Sequence, residues 1–197
     1  MAKRLVDLAV AVAALVVLSP VFVLIALWVK ADSPGTALFV QERIGRHGVP
    51  FKLFKFRTMH VNAGGPAVTV GGDSRVTAAG CILRRWKLDE LPQLFNVLRG
   101  EMSLVGPRPE VARYVDLWDA AARAEILAAR PGLTDPASIK YRDEEAMLAA
   151  HADPERAYRE IVLPDKVRLY RDYVRTQTFL GDLKLLVATV AAVLRRP

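Results

Sequence analysis

The chain has 197 residues, of which 52% are hydrophobic, and a formal net charge of +7. That size fits one compact domain plus one membrane element, and the positive balance favours anionic partners such as phospholipid, nucleotide or nucleic acid without choosing among them. The single cysteine, Cys81, excludes an internal disulfide, and His47, His60 and His151 lie too far apart for metal-ligand spacing.

The first predicted element is the apolar run from Leu8 to Val29, 22 residues in which Ser19 is the one polar side chain. As a straight helix it would measure roughly 33 Å, enough to cross a hydrocarbon core of roughly 30 Å. Ser19-Pro20 interrupts it. Pro20 removes the hydrogen bond to the carbonyl of Val16, and Ser19 can bond back to the carbonyl of Leu15. Each half then spans about 14–17 Å, close to one leaflet. Lys3 and Arg4 precede the run; Lys30, Arg43, Arg46, Lys52, Lys55 and Arg57 follow it. Positive charge on both flanks conflicts with a spanning helix and suits a re-entrant helix-break-helix. Read from these residues alone, a kinked span and a re-entrant pair both stay open. A cleaved signal peptide fits poorly, because the apolar run is too long.

Asp32-Ser33-Pro34-Gly35 reads as a turn. Leu38 to Ile44 and Phe51 to Met59 are strand-like and joined by Gly45-Arg46-His47-Gly48, which predicts a β-hairpin. Lys55 and Arg57, two residues apart in that pattern, are expected to face one anionic surface, substrate or headgroup. Val61 to Asp73, rich in Gly and small residues, reads as a loop; no P-loop lysine follows its Gly pairs, which excludes a Walker site. A short helix is predicted from Leu91 to Leu98, with Asp89 near its start and Gly100 as its stop. Further helices are expected over Glu110 to Ala129, Glu144 to Ala150 and Pro154 to Val162, the last beginning at Asp153-Pro154. Asp165 to Arg196 is helical with a break around Thr176 to Gly181. Its final segment, Phe179 to Leu194, is too short and polar for a confident second span. It is expected to lie on a membrane surface or pack on the domain, with Arg195 and Arg196 meeting lipid phosphates. The elements add up to a mainly α chain with a small β-hairpin, an α+β fold.

The richest stretch runs from Arg84 to Pro109: Arg84-Arg85-Trp86-Lys87-Leu88-Asp89-Glu90-Leu91-Pro92-Gln93, Asn96-Val97-Leu98-Arg99-Gly100-Glu101-Met102-Ser103, then Gly106-Pro107-Arg108-Pro109. An Asp-Glu pair before a helix is by itself an ordinary cap. Here two carboxylates stand between guanidinium clusters, beside a turn whose prolines hold an arginine in a fixed direction. That arrangement suits phosphate chemistry, since carboxylates bind a divalent cation or attack phosphorus while arginines neutralise phosphoryl oxygens.

With Lys55-Phe56-Arg57-Thr58-Met59, Asp73-Ser74-Arg75-Val76-Thr77 and Arg130-Pro131-Gly132-Leu133-Thr134 in the same order, nearly the whole chain resembles the bacterial sugar transferases. These are small monotopic phosphoglycosyl transferases. The resemblance implies a re-entrant membrane helix over residues 1–31, turning at Ser19 and Pro20. It also implies a catalytic domain with membrane-surface helices over residues 32–197, on the cytoplasmic face of a bacterial inner membrane. The implied reaction moves a sugar 1-phosphate from a UDP-sugar to polyprenyl (undecaprenyl) phosphate, releasing UMP. Asp89 would be the nucleophile that carries the sugar phosphate, and Glu90 a catalytic partner and the ligand of Mg²⁺. Arg84 would meet phosphate and Pro107-Arg108 the nucleotide; Lys55, Arg57 and Arg142 complete the substrate-binding set. Membrane lipids are expected partners, nucleic acid is not, and a homodimer stays open.

The chain departs from the family pattern after Thr134, where Asp135-Pro136-Ala137-Ser138-Ile139-Lys140-Tyr141-Arg142 replaces a Gly-x-Ala-Gln-Val-x-Gly-Arg element, and at Tyr170, where relatives carry an acidic residue that neighbouring Asp172 does not plainly replace. The sugar is not legible in any short motif. The alternative reading is a non-catalytic, membrane-anchored basic module for nucleic acid or anionic lipid; carboxylates inside its most basic segment count against it.

Overall fold

The computed structural model describes residues 2–61, 63–65 and 68–195. Asn62, Pro66 and Ala67 of the predicted loop, and Arg196, lie outside the described residues. The N-terminal run forms two helices, α1 (Ala2–Val17) and α2 (Ser19–Asp32), bent by 62° at the Ser-Pro break. Ser19 Oγ donates to the carbonyl of Val16 at 2.8 Å, one residue later than the expected acceptor Leu15. No single helix among the described residues is long and apolar enough to cross a membrane; the bent pair passes that test only as a pair.

Both far ends of the pair are fastened to one body. At the start of α1, Lys3 Nζ bonds Asp182 Oδ2 at 2.5 Å and the carbonyl of Val105 at 2.8 Å. Arg4 donates to the carbonyl of Val97 at 2.7 Å, and buried Asp7 accepts from Ser103 Oγ at 2.7 Å. At the end of α2, Arg57 gathers carbonyls of the last turn and of the segment that leaves it. Its guanidinium donates to the carbonyls of Val29 (3.2 Å), Ser33 (2.8 Å) and Thr36 (2.6 Å), and to Ser33 Oγ. Between these anchors the helices expose Val16, Val17, Val23, Leu24 and Leu27, Val17 to 72%.

This placement corrects the expectation for Arg57. The strand alternation that paired it with Lys55 ends at Phe56, and the long side chain is captured by carbonyls that only the docked helix brings near. Truncation to Arg57→Ala strands the carbonyl and hydroxyl of buried Ser33, while the Val29 carbonyl keeps the Ser33 amide, and is expected to cost roughly 2 kcal/mol. Thermal unfolding of the detergent-solubilised protein measures this; an unchanged midpoint would show these oxygens find other donors.

The hairpin pairs β1 (Leu38–Ile44) with β2 (Pro50–Phe56), Leu38 opposite Phe56 and Ile44 opposite Pro50. Then follow α3 (Ala78–Arg85) and α4 (Gln93–Arg99), separated by a 3₁₀ turn over Leu88–Glu90 and closed by Gly100 in the left-handed region at φ 81°. Asn96 bonds β2 on both sides of its amide: Oδ1 accepts from the Phe54 amide at 3.1 Å, and Nδ2 donates to the Lys52 carbonyl at 2.7 Å, its other hydrogen going to Glu101 Oε2 at 2.7 Å. It thereby covers the outer edge of β2 and fixes that strand against α4.

A second sheet was not expected from sequence: β3 (Ser103–Val105) runs parallel to β4 (Gly132–Thr134). Its three-residue strands are too short to show a period. Two glycines make the close approach workable, because a Cβ at Gly106 would lie 2.3 Å from the Arg130 carbonyl oxygen, and one at Gly132 2.1 Å from the Gly106 nitrogen.

The single helix expected over Glu110 to Ala129 is instead α5 (Ala112–Val115) and α6 (Ala120–Leu127). Asp119 breaks it by capping α6, accepting from the Ala122 amide at 2.7 Å. Next come α7 (Pro136–Lys140), α8 (Glu144–Ala149) and α9 (Pro154–Ala157), capped as expected by Asp153. A π turn over Tyr158–Val162 leads without interruption into α10 (Leu163–Thr176), and Thr178 caps α11 (Phe179–Leu194) after the expected break. Among the described residues the fold is mainly helical with two small sheets, consistent with the α+β expectation. One apolar core gathers α5 to α10; a second joins α1, β2, α4 and β3 to Tyr173 of α10. A third cluster, Ile25 and Val29 of α2 with Phe56 and Leu83, takes Leu88 and Leu91, so the turn that carries Asp89 and Glu90 packs beside the helix pair while Leu94 and Val97 of α4 enter the second. On α11, Leu180, Val187, Val190 and Leu194 stay exposed, Val187 to 70%.

Candidate active site

The Asp89-Glu90 pair sits on the 3₁₀ turn that enters α4. Lys87, with φ 55°, makes the sharp reversal out of α3 that aims the turn inward. Asp89 is buried, and its Oδ1 has no hydrogen-bond partner. Glu90 has the opposite setting. Arg108 forks onto it, Nη1 to Oε2 at 3.1 Å and Nη2 to Oε1 at 2.5 Å, while Lys55 Nζ reaches Oε1 at 3.2 Å from β2.

The environments split the two carboxyls. Burial pushes Glu90 upward, but the Arg108 guanidinium and the Lys55 ammonium outweigh it and hold the group well below the usual carboxylate range. For Asp89, burial dominates and raises the pKa; Lys55 opposes it and the Glu90 charge adds to it. Glu90 raises Arg108 well above its ordinary value, against the effect of burial, whereas burial lowers Lys55. One carboxylate is thus neutralised in place, and its neighbour is left desolvated and unpaired. A desolvated anion with a free oxygen is what a nucleophile toward phosphorus requires.

Arg108 is held from behind. The parallel β3–β4 pair places Gly106-Pro107, with the Gly132 amide donating to the Pro107 carbonyl at 2.9 Å and the Gly106 amide to the Thr134 carbonyl at 3.0 Å. From β1, Arg43 donates to the Pro109 carbonyl at 3.1 Å and pairs with buried Glu110 at 3.4 Å. Tyr158 Oη closes that chain on Glu110 Oε1 at 2.9 Å. Arg43 was read only as a flanking charge; its spacing offered no sign of this buttressing role.

Of the sequence-predicted set, the structure brings together Asp89, Glu90, Lys55, Pro107 and Arg108. Arg84 stands close enough to favour the charged form of Asp89. Its Nη2 pairs with Glu145 at 3.0 Å and its Nη1 is buried without a partner. Arg57 caps α2 instead. Arg142 is also left out of this cluster: it is half-buried, and donates to the carbonyl of Arg195 beyond the end of α11. Tyr170 is fully buried with an unpartnered hydroxyl, and Asp172 pairs on the surface with Arg168 at 3.1 Å, so Asp172 does not take its place.

No group of three or more His, Cys, Asp or Glu among the described residues could hold a metal ion by itself. Mg²⁺, however, is commonly held by one or two carboxylates together with substrate phosphates. The Glu90 carboxylate, next in sequence to the unpartnered Asp89 Oδ1, fits that kind of site.

A family model described as bacterial sugar transferase matches residues 1–196. The chain is 41% identical over 199 residues to a UDP-glucose:undecaprenyl-phosphate glucose-1-phosphate transferase of Caulobacter vibrioides, covering 98% of this chain and 69% of that protein. It is 36% identical to the exopolysaccharide production protein ExoY of Sinorhizobium fredii, covering 97% and 84% of the two chains. With an undecaprenyl-phosphate galactose phosphotransferase of Salmonella typhimurium it shares 34% identity over 98% of this chain but 40% of that protein. On a match that runs almost end to end, this chain belongs to the bacterial sugar transferase family.

Proposed function

We propose that this protein transfers a sugar 1-phosphate from a UDP-sugar to undecaprenyl phosphate, giving UMP and an undecaprenyl diphosphate-linked sugar. The supporting observation is the split carboxylate pair: Glu90 fixed between Arg108 and Lys55, Asp89 buried with a free oxygen. In the first half-reaction an Asp89 oxygen attacks the β-phosphorus and the bond from that phosphorus to the α-phosphate oxygen breaks, releasing UMP. In the second, a phosphate oxygen of the lipid attacks the same phosphorus, and the acyl phosphate bond breaks to restore Asp89. Each step exchanges one phosphoanhydride-type bond for another, so neither needs ATP, and no bond at the anomeric carbon is broken.

The chain's cations counter the repulsion between a carboxylate and a diphosphate. Arg108 and Lys55 hold Glu90, and Lys55, Lys87 and Arg84 favour the charged form of Asp89. Glu90 would hold Mg²⁺, which would add positive charge beside the substrate phosphates.

The same reading places the helix pair in the cytoplasmic leaflet as a re-entrant element. Supporting it, Lys3, Arg4 and Asp7 at one end and Arg57 at the other bind both ends to the same domain, while Val16, Val17, Leu24 and Leu27 face outward. An apolar surface of this kind marks a membrane or a partner interface. Exposed Leu180, Val187 and Leu194 of α11 extend the proposed contact as a surface-lying helix.

The test is UMP release by the purified, detergent-solubilised protein supplied with undecaprenyl phosphate, Mg²⁺ and each of a panel of UDP-sugars. UMP is expected with at least one donor, together with labelled lipid product. Absence of UMP with every common donor would overturn the reading.

A further inference from the structure

Six buried side-chain polar atoms among the described residues have no hydrogen-bond partner, and three of them fall within ten residues: Arg84 Nη1, Asp89 Oδ1 and Gln93 Nε2. The phosphotransfer reading uses Arg84 and Asp89 and leaves Gln93 without a role. Gln93 is 1% exposed. The 3₁₀ turn and α4 form a nearly continuous helical run, in which the Leu91 amide bonds the Leu88 carbonyl and the Leu94 amide the Leu91 carbonyl. Spacings of four and three therefore set Gln93 on the face that carries Asp89 and Glu90.

An unsatisfied amide donor is unfavourable in a protein interior, where an apolar side chain of the same volume would pack without that penalty. We infer that Gln93 contacts the substrate, its Nε2 donating to a non-bridging oxygen of the phosphoryl group that passes to and from Asp89; this rests on the phosphotransfer reading above. No bond or proton changes at Gln93 itself. A neutral donor suits the position, because a cation one helical turn from Asp89 would pair with the carboxylate and blunt it as a nucleophile. An amide instead supplies a fixed dipole to the equatorial oxygens of the transition state at little electrostatic cost to the aspartate.

The test compares Gln93→Met and Gln93→Glu with the parent protein and with Asp89→Asn, measuring UMP release and thermal midpoint. Gln93→Met keeps the length and removes the donor: kcat is expected to fall about 100-fold, with KM for the UDP-sugar within a few-fold and the thermal midpoint unchanged or higher. Gln93→Glu, an isostere that faces phosphate with negative charge, is expected to lose more. If both variants keep kcat within threefold while Asp89→Asn is inactive, or if each loses activity only in proportion to lost folded protein, the role of Gln93 is overturned and the phosphotransfer reading stands. An active Asp89→Asn would instead overturn that reading itself. If Gln93→Met fails to fold, Gln93→Glu decides.

Discussion

Asp89→Asn is expected to lower UMP release by at least about 10⁴-fold, to abolish the labelled covalent adduct, and at the same time to make the protein harder to unfold. Loss of activity follows because a carboxamide is a poor nucleophile toward phosphorus. The gain in stability follows from the site: Asp89 is buried, with one oxygen unpartnered and its pKa raised by burial. A carboxyl whose folded pKa lies above its unfolded value destabilises the fold when ionised. That penalty is absent below the unfolded pKa, grows as pH rises, and is complete above the folded pKa. Asparagine removes it, so about 1–3 kcal/mol is expected at neutral pH, seen as a higher thermal midpoint that converges with the parent's in acid. The same shift has a kinetic signature. Since Asp89 must be anionic to attack, kcat/KM rises with pH through its pKa, and the acid limb belongs above the ordinary aspartate value of about 3.9. A limb at or below that value, or an Asp89→Asn variant that still forms adduct, would remove Asp89 from the role.

Arg108→Ala is expected to lose activity about 10²–10³-fold and to destabilise the protein by about 2–3 kcal/mol, somewhat below the cost of breaking a fully buried pair. The guanidinium makes both contacts of the fork on Glu90, and its side chain is 24% exposed against 12% for its partner, so solvent recovers part of the loss. Without it, Glu90 keeps only Lys55. Adding Glu90→Gln removes the stranded charge, so the double variant is expected to regain most of the stability and none of the activity. Arg108→Lys keeps the charge without the fork and should fall between. Unfolding midpoints and UMP release across this cycle separate the structural from the chemical contribution. Equal stability of Arg108→Ala and the parent would show that the fork does not hold Glu90.

Much of the local structure was legible. The Ser19-Pro20 break, the hairpin, the glycine stop at Gly100, the Asp153-Pro154 helix start and the interruption near Thr178 each depend on a hydrogen bond made or lost within a few residues. Such bonds are written in residue type and spacing. The helix expected from Glu110 onward failed for a related reason, since alanine-rich sequence fits a helix anywhere while Asp119 favours a cap over an interior position. The parallel β3–β4 pair was invisible, because three-residue strands carry no period and their partners are 29 residues apart along the chain.

The candidate site divides in the same way. Residue types and order pointed to phosphate chemistry, and with the family resemblance they named a set from which the fold brings together Asp89, Glu90, Lys55, Pro107 and Arg108. Which oxygen each arginine serves was decided by packing: Arg57 went to the end of α2, Arg142 to the Arg195 carbonyl and Arg43 to the back of the Arg108 turn. A short side chain or a backbone group bonds what its own segment offers, so its partner can be read from neighbours in sequence. An arginine reaches far beyond its own segment and settles on whichever unsatisfied oxygen the assembled fold leaves within range, and that exists only once the helices, the hairpin and the Gly106–Gly132 contact have closed around it.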